Sequence, residues 1–230
     1  MFMNPLYLLL LIPAVLGWYA QVRVQAAYAR HARELNRHGL MGAEIAEQLI
    51  AHLGLKDVSI ELMYGQFGDH YDMRDRTLVL TEGVAASRSV TAMGIVAHEV
   101  LHAVQDREGY ALLRLRGWLG ERLARVPGIA FWGAALGLLF RSTPLVLIGG
   151  AVMVLSVLLG LTALPVERNA SRRALEALRE SGLADADDLA GAEAVLRSAA
   201  LTYVAGLCQQ IGRLAFAGLV ISAAYGFWQR

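Results

Sequence analysis

The sequence predicts a mainly α-helical membrane protein, with about four transmembrane helices and a small α+β cytoplasmic part that contains a short β-hairpin. Three observations predict it. Hydrophobic residues make up 56% of the 230-residue chain, above the roughly 45–50% apolar share of ordinary soluble domains. Charged residues are absent from four stretches: Met1–Val22, Val126–Phe140, Ser142–Val166 and Leu214–Gln229. Between the first two of these, the pattern of apolar residues alternates between helical and strand periods.

A helix needs about 20 apolar residues to cross about 30 Å of hydrocarbon. The first and third stretches are long enough outright. The second reaches that length by extending back through Trp118 and Leu119, with Arg122 and Arg125 snorkelling to the interface. Arg213 can do the same for the fourth. The predicted spans are roughly 4–22, 124–141, 144–165 and 209–229. The segment 1–22 has no basic residue at its start and no small-x-small site at its end, so it reads as an anchor rather than a cleaved signal.

Residues 23–123 form the first soluble region. Gln25–Asn36 continues the first span as a helix. Met41–Leu53 carries Ile45, Leu49 and Ile50 at helical spacing and ends at Gly54. Val58, Ile60 and Leu62 alternate with Ser59, Glu61 and Met63, the period of a strand, and Arg76–Thr81 reads as a second strand that can pair with it antiparallel, across a turn-rich stretch from Gly65 to Asp75. Ser87 or Ser89 can cap a helix from Val90 to Glu108, closed by Gly109. After the hairpin of spans 124–165, residues 166–208 return as soluble helices, with 182–194 expected to form an acidic, solvated turn. Residues 209–230 form the last span.

Basic residues set the orientation. Thirteen lie between Arg23 and Arg125 and five between Arg168 and Arg197. The positive-inside rule puts both regions in the cytoplasm. With 21 basic and 20 acidic residues, no nucleic-acid partner is expected. The lone Cys208 excludes a disulfide scaffold and a zinc site built from several thiolates.

The helix at 90–108 contains His98-Glu99-Val100-Leu101-His102. Positions i and i+4 share a helix face, so both imidazoles can reach one metal ion. Glu99 stands beside the first ligand, where it can take the proton of a water that zinc acidifies to a pKa of about 7. One catalytic Zn2+ is the expected cofactor. Its neighbours on the helix are apolar, and a buried His-Glu-His group without a metal is costly. A catalytic zinc site usually has three protein ligands plus water. Glu167 is the leading third ligand, because an in–out–in hairpin returns it to the side of His98 and His102; His70 is the rival. Pro165 can start the helix that carries Glu167, and Ala170, Ser171 and Ala174 are small enough for close approach to the zinc helix.

At these residues the chain resembles a known family. His98-Glu-Val-Leu-His102-Ala-Val-Gln105, Gly68-Asp-His-Tyr-Asp72 and Leu164-Pro-Val-Glu-Arg-Asn-Ala-Ser-Arg-Arg-Ala-Leu175 look like the corresponding stretches of the YugP-type membrane zinc metallopeptidases. The order of HExxH, two spans, then Glu-x-x-Ala is more distantly similar to HtpX-type peptidases. There the late Glu is the third zinc ligand and an Asp follows four residues on; this chain has Ser171 in that place. The resemblance implies a zincin-like, gluzincin-type peptidase of a prokaryotic cell membrane.

The remaining polar residues carry two readings each. His70 or Tyr71 can donate to the oxyanion of a tetrahedral intermediate, or belong to a hydrogen-bonded turn. Arg76–Thr81 can bind an extended substrate along an open edge, or be an ordinary hairpin strand. Asn169, Arg172 or Arg173 can support a zinc ligand, or simply flank a span. The expected activity is a multi-pass membrane endopeptidase that uses Glu99 as general base, near the cytoplasmic surface, on membrane-bound or membrane-proximal polypeptides. A zinc hydrolase of a lipid or small amide and a non-catalytic zinc-binding scaffold are the alternatives.

Overall fold

The structure, a computed structural model, describes residues 11–64, 68–123 and 126–228. The part of the first expected span before Leu11 lies outside them. The elements are α1 (Leu11–His31), α2 (Gly42–His52), β1 (Ser59–Met63), β2 (His70–Asp72), β3 (Thr77–Thr81), α3 (Glu82–Ala86), α4 (Val90–Arg107), α5 (Ala111–Leu123), α6 (Val126–Leu139), α7 (Thr143–Glu180) and α8 (Ala186–Trp228). They divide between two compact units. One comprises residues 1–21, 115–164 and 202–230, the other residues 22–114 and 165–201.

The first unit consists of helices whose glycines permit close packing. A Cβ on Gly149 would lie 2.7 Å from the Ala130 carbonyl oxygen and 2.8 Å from Ala134 Cβ, so α6 and α7 form a tight antiparallel pair. Gly160 of α7 receives the Gln210 side chain of α8, and Gly212 of α8 receives Pro13 of α1. Large apolar side chains such as Leu147, Ile148, Trp132 and Leu158 are exposed. Among the described residues, two helices are long and apolar enough to cross a membrane, α7 and α8 to Ser222, where four spans were expected. The α6 stretch Gly128–Leu139 is apolar but too short by that measure. The α1 segment carries its charges from Arg23 onward, and its apolar part is cut off by the start of the described region.

Two further expectations are corrected in these helices. Pro165 does not start a helix; it lies inside α7, which runs unbroken for 38 residues. Proline removes one backbone donor and crowds the preceding turn, yet long apolar helices tolerate it where neighbouring groups satisfy the freed carbonyls. The acidic stretch 182–194 is a turn only as far as Asp185, because α8 begins at Ala186. The carboxylates of Asp185 and Asp188 accept backbone N–H groups there, as helix-start residues do.

The second unit has one hydrophobic core around α4. Ile45 and Leu49 of α2, Leu78 and Leu80 of β3, and Ala170, Ala174 and Leu178 of α7 are all buried against it. On the α8 side, a Cβ on Gly94 would meet Ala192 at 3.4 Å, so small residues let these helices lie close. Gly42 allows a similar approach of α2 to the Val84 carbonyl. Helix α1 ends at His31, five residues before the expected Asn36. Asn36 instead ties the following loop, with its amide donating to the Leu40 and Arg88 carbonyls.

The sheet order is β1-β3-β2. β2 and β3 form a short antiparallel hairpin with Tyr71 opposite Leu78, β2 lying within the stretch expected to be a turn between the two strands of the expected hairpin. β1 pairs with β3 parallel, not antiparallel, with Ile60 opposite Leu78. The return strand β2 takes one side of β3, and β1 takes the other. β3 is thus central and almost wholly buried, and the expected substrate edge along Arg76–Thr81 does not exist. The free edges belong to β1 and β2.

Candidate metal centre

The central helix of the site starts where the sequence sets it. The Ser89 side chain accepts from the Ala92 N–H at 3.1 Å, satisfying one of the orphan donors of a helix start. Ser87 bonds to Ser89 instead of capping. Beyond the C-terminus, Gly109 has φ +71°, a conformation that favours glycine. Between these ends, α4 carries His98, Glu99 and His102.

The ligand-capable atoms of His98, Glu99 and His102 all lie within 4.8 Å of one another. The imidazole rings are nearly perpendicular, at 84°, with centroids 4.7 Å apart. Glu167 enters from α7, and its Oε2 lies 2.9 Å from His98 Nε2 and 3.6 Å from His102 Nε2. The structure therefore brings together all four of these residues, although Glu167 stands sixty-five positions after His102. Val166 and Ala170 on either side of it are fully buried, which fixes the face that α7 presents to α4.

Each imidazole is held from behind. Ser171 Oγ lies 3.2 Å from His98 Nδ1, and Gln105 Oε1 lies 2.9 Å from His102 Nδ1. Both Nε2 atoms are left directed at the Glu167 carboxylate. Partners of this kind on the second ring nitrogen orient imidazole ligands in metal sites.

The surroundings treat the two carboxylates in opposite ways. Burial pushes the Glu99 carboxyl above its ordinary value, and the nearby His102 and His98 only partly offset this. Burial acts in the same sense on Glu167, but the hydrogen bonds and charges of His102 and His98 outweigh it and hold that carboxyl well below the usual range. The histidines thus favour the anion of Glu167, while burial favours the protonated form of Glu99.

His70 and Tyr71 are not brought into this group. His70 is exposed, with its Nδ1 2.9 Å from the Gly68 carbonyl oxygen. The Tyr71 hydroxyl donates to Asp106 Oδ2 at 3.1 Å, and burial together with the Asp106 charge pushes its phenol up. Arg172 pairs with Glu176, and Arg173 makes two 2.7 Å bonds to the Glu108 carboxylate. The Asn169 amide oxygen accepts from Gln105, not from a histidine.

Sequence reasoning left three neighbours without a role. Asp69 takes the Thr81 N–H and hydroxyl on its Oδ1, and its charge acts on Glu99. The Tyr28 phenol is raised by burial and then by Asp69 and Glu99, so α1 also borders the site. Gln105 is wholly buried beside His102; its spacing of three from His102 was the one signal in the sequence, and only the rotamers show that it is used.

Two imidazole nitrogens and a carboxylate oxygen converging from two buried helices suit a catalytic zinc ion, which favours such borderline donors. Such a donor set is one that a zinc metallopeptidase could use. The chain belongs to the family described as "Putative neutral zinc metallopeptidase", whose model matches residues 6–221. It is 35% identical over 201 residues to the "Putative membrane protease YugP" of Bacillus subtilis (strain 168), a match covering 87% of this chain and 89% of that protein. No solved structure matches.

Proposed function

We propose that this zinc metallopeptidase is a membrane-embedded endopeptidase in which His98, His102 and Glu167 hold the ion and Glu99 is the general base. The convergence of His98 Nε2, His102 Nε2 and Glu167 Oε2, with the Glu99 carboxyl beside them, is the observation that carries this reading. Zinc held there supplies a Lewis acid for the scissile carbonyl and lowers the pKa of a water to about 7. Glu99 accepts the proton of the attacking water on its carboxylate and passes it to the departing amine nitrogen. Its raised proton affinity suits both transfers. Glu167 contributes negative charge and stays ionised throughout. Ser171 and Gln105 keep the rings in place, so little reorganisation accompanies the reaction.

The setting of the site belongs to the same proposal. The charge-free stretch Ser142–Val166 ends immediately before Glu167, which supports a centre near a membrane surface. The distribution of basic residues supports the cytoplasmic side. Substrates are then membrane-bound or membrane-proximal polypeptides. Detergent-purified full-length protein, loaded with zinc, tests each part. Glu99→Gln is expected to retain one zinc per chain by elemental analysis and to lose at least about 100-fold in turnover. Glu167→Ala is expected to lose most of its zinc. Full zinc occupancy in Glu167→Ala would remove it from the ligand set, and undiminished cleavage by Glu99→Gln would remove the base.

A further inference from the structure

We propose that Gln105 is the positioning residue of this centre, a single amide that fixes the His102 ring and, with its other end, holds the turn of α7 that carries Glu167. The inference rests on His98, His102 and Glu167 being the ligands.

The argument begins with burial. Gln105 is 0% exposed, so its amide must find partners within the protein. It has three. Its Oε1 meets His102 Nδ1 at 2.9 Å. Its Nε2 donates to the Val166 carbonyl at 3.0 Å and to Asn169 Oδ1 at 2.9 Å. The chemistry of these partners fixes which way the amide points. A backbone carbonyl can only accept, so the nitrogen end faces Val166. The oxygen end then faces His102, and the hydrogen of a neutral ring must sit on Nδ1. With Zn2+ bound, that arrangement would leave the Nε2 lone pair free for the ion.

Position along the helices gives the amide its reach. His102 and Gln105 are one turn apart on α4, and Val166 and Asn169 are one turn apart on α7 with Glu167 between them. One side chain thus links a ligand on the first helix to the turn bearing a ligand on the second. No substitute does both. A carboxylate at 105 would set a negative charge against two acceptors, the Val166 carbonyl and Asn169 Oδ1. An aliphatic side chain would leave His102 Nδ1 without a partner and its ring free to adopt the other tautomer.

The test uses the full chain in detergent and Zn2+ itself as the probe, with affinity read by chelator competition and stability by thermal unfolding of the zinc-free protein. Gln105→Met is expected to weaken zinc binding by about 10–100-fold, the usual effect of losing a partner behind a ligand. Asn169→Ala is expected to weaken it less, and to add nothing in the Gln105→Met background, since Asn169 acts through Gln105. Leu178→Ala, equally buried in the same core but without a link to any ligand, is expected to lower the unfolding temperature and leave the zinc affinity unchanged. Nitrogen-15 spectra of zinc-loaded wild type are expected to show His102 protonated at Nδ1 and ligating through Nε2, a readout that needs no variant should Gln105→Met not fold. Wild-type affinity in Gln105→Met, a matching affinity loss in Leu178→Ala, or ligation through His102 Nδ1 would each overturn the proposal. A wild type that binds no zinc would instead bring down the ligand assignment beneath it. That case is distinguished by Glu167→Ala behaving like wild type.

Discussion

Tyr71 can serve either as an oxyanion donor or as part of the scaffold, and the two roles can be told apart. It lies on β2, two residues after Asp69, whose charge acts on Glu99. Its own hydroxyl is spent on Asp106 Oδ2. If that bond is its duty, Tyr71→Phe costs about 1 kcal/mol of stability, the usual net loss for one hydrogen bond, and leaves zinc content and turnover within a few-fold of wild type. An oxyanion donor would behave in the opposite way, with a loss on the order of 100-fold in turnover and little change in unfolding. Thermal unfolding and peptidase rates on the same variant separate the two. The contrast between Glu99 and Glu167 is also settled residue by residue. The same two histidines influence both carboxylates, but only Glu167 takes their hydrogen bonds, and that difference decides which one is held as an anion.

At the scale of elements, the site depends on the register of α4 against α7. Small residues bring the helices together, with Ala97 and Ala103 on one and Ala170 and Ala174 on the other. Near the end of α4, Arg173 of α7 grips the Glu108 carboxylate with two nitrogens. The Arg173 hydrogen bonds hold the Glu108 carboxyl below its ordinary value. Because the folded value is the lower one, the stabilisation is complete above the unfolded pKa of about 4.3 and fades as pH falls through the folded value. The pair is largely exposed, so its contribution is at most about 1 kcal/mol. Glu108→Gln is expected to lower the unfolding temperature slightly at pH 7 and to match wild type in strong acid. A constant difference across that range would show that the ion pair is not responsible. The sheet makes the same point about register. Alternation in Val58–Leu62 announces a strand but carries no information about the direction of its partner, which β2 settles by occupying the other side of β3.

For the whole molecule, the proposed ligands come from two helices of one unit, so an ion held by them would tie segments distant in sequence. Binding to the folded state alone adds stability by mass action, about 2.7 kcal/mol at a free zinc concentration 100-fold above Kd. For a chain of this size that amounts to a rise of about 5–10 °C in unfolding temperature. Zinc is expected to produce that rise in wild type, a chelator to reverse it, and Glu167→Ala to show little of it. An unfolding temperature indifferent to zinc would contradict a centre that bridges α4 and α7.

Local chemistry was written plainly in the chain. Ser89 and Gly109 bound the central helix, and spacing by four put His98 and His102 on one face, because capping and helical period act over a few residues. Charge-free runs marked the apolar helices, though among the described residues only two of these are long enough to span, since a gap between charges does not say where a helix begins or ends. What tertiary structure alone decided lies beyond that local range: the passage of α7 through Pro165, the parallel pairing of β1 with β3, and the three bonds of Gln105. The sequence named Glu167 as the leading partner of His98, but packing alone set the two 2.9 Å apart across sixty-nine positions. Distance along a chain does not fix distance in space; the packing of buried helix faces does.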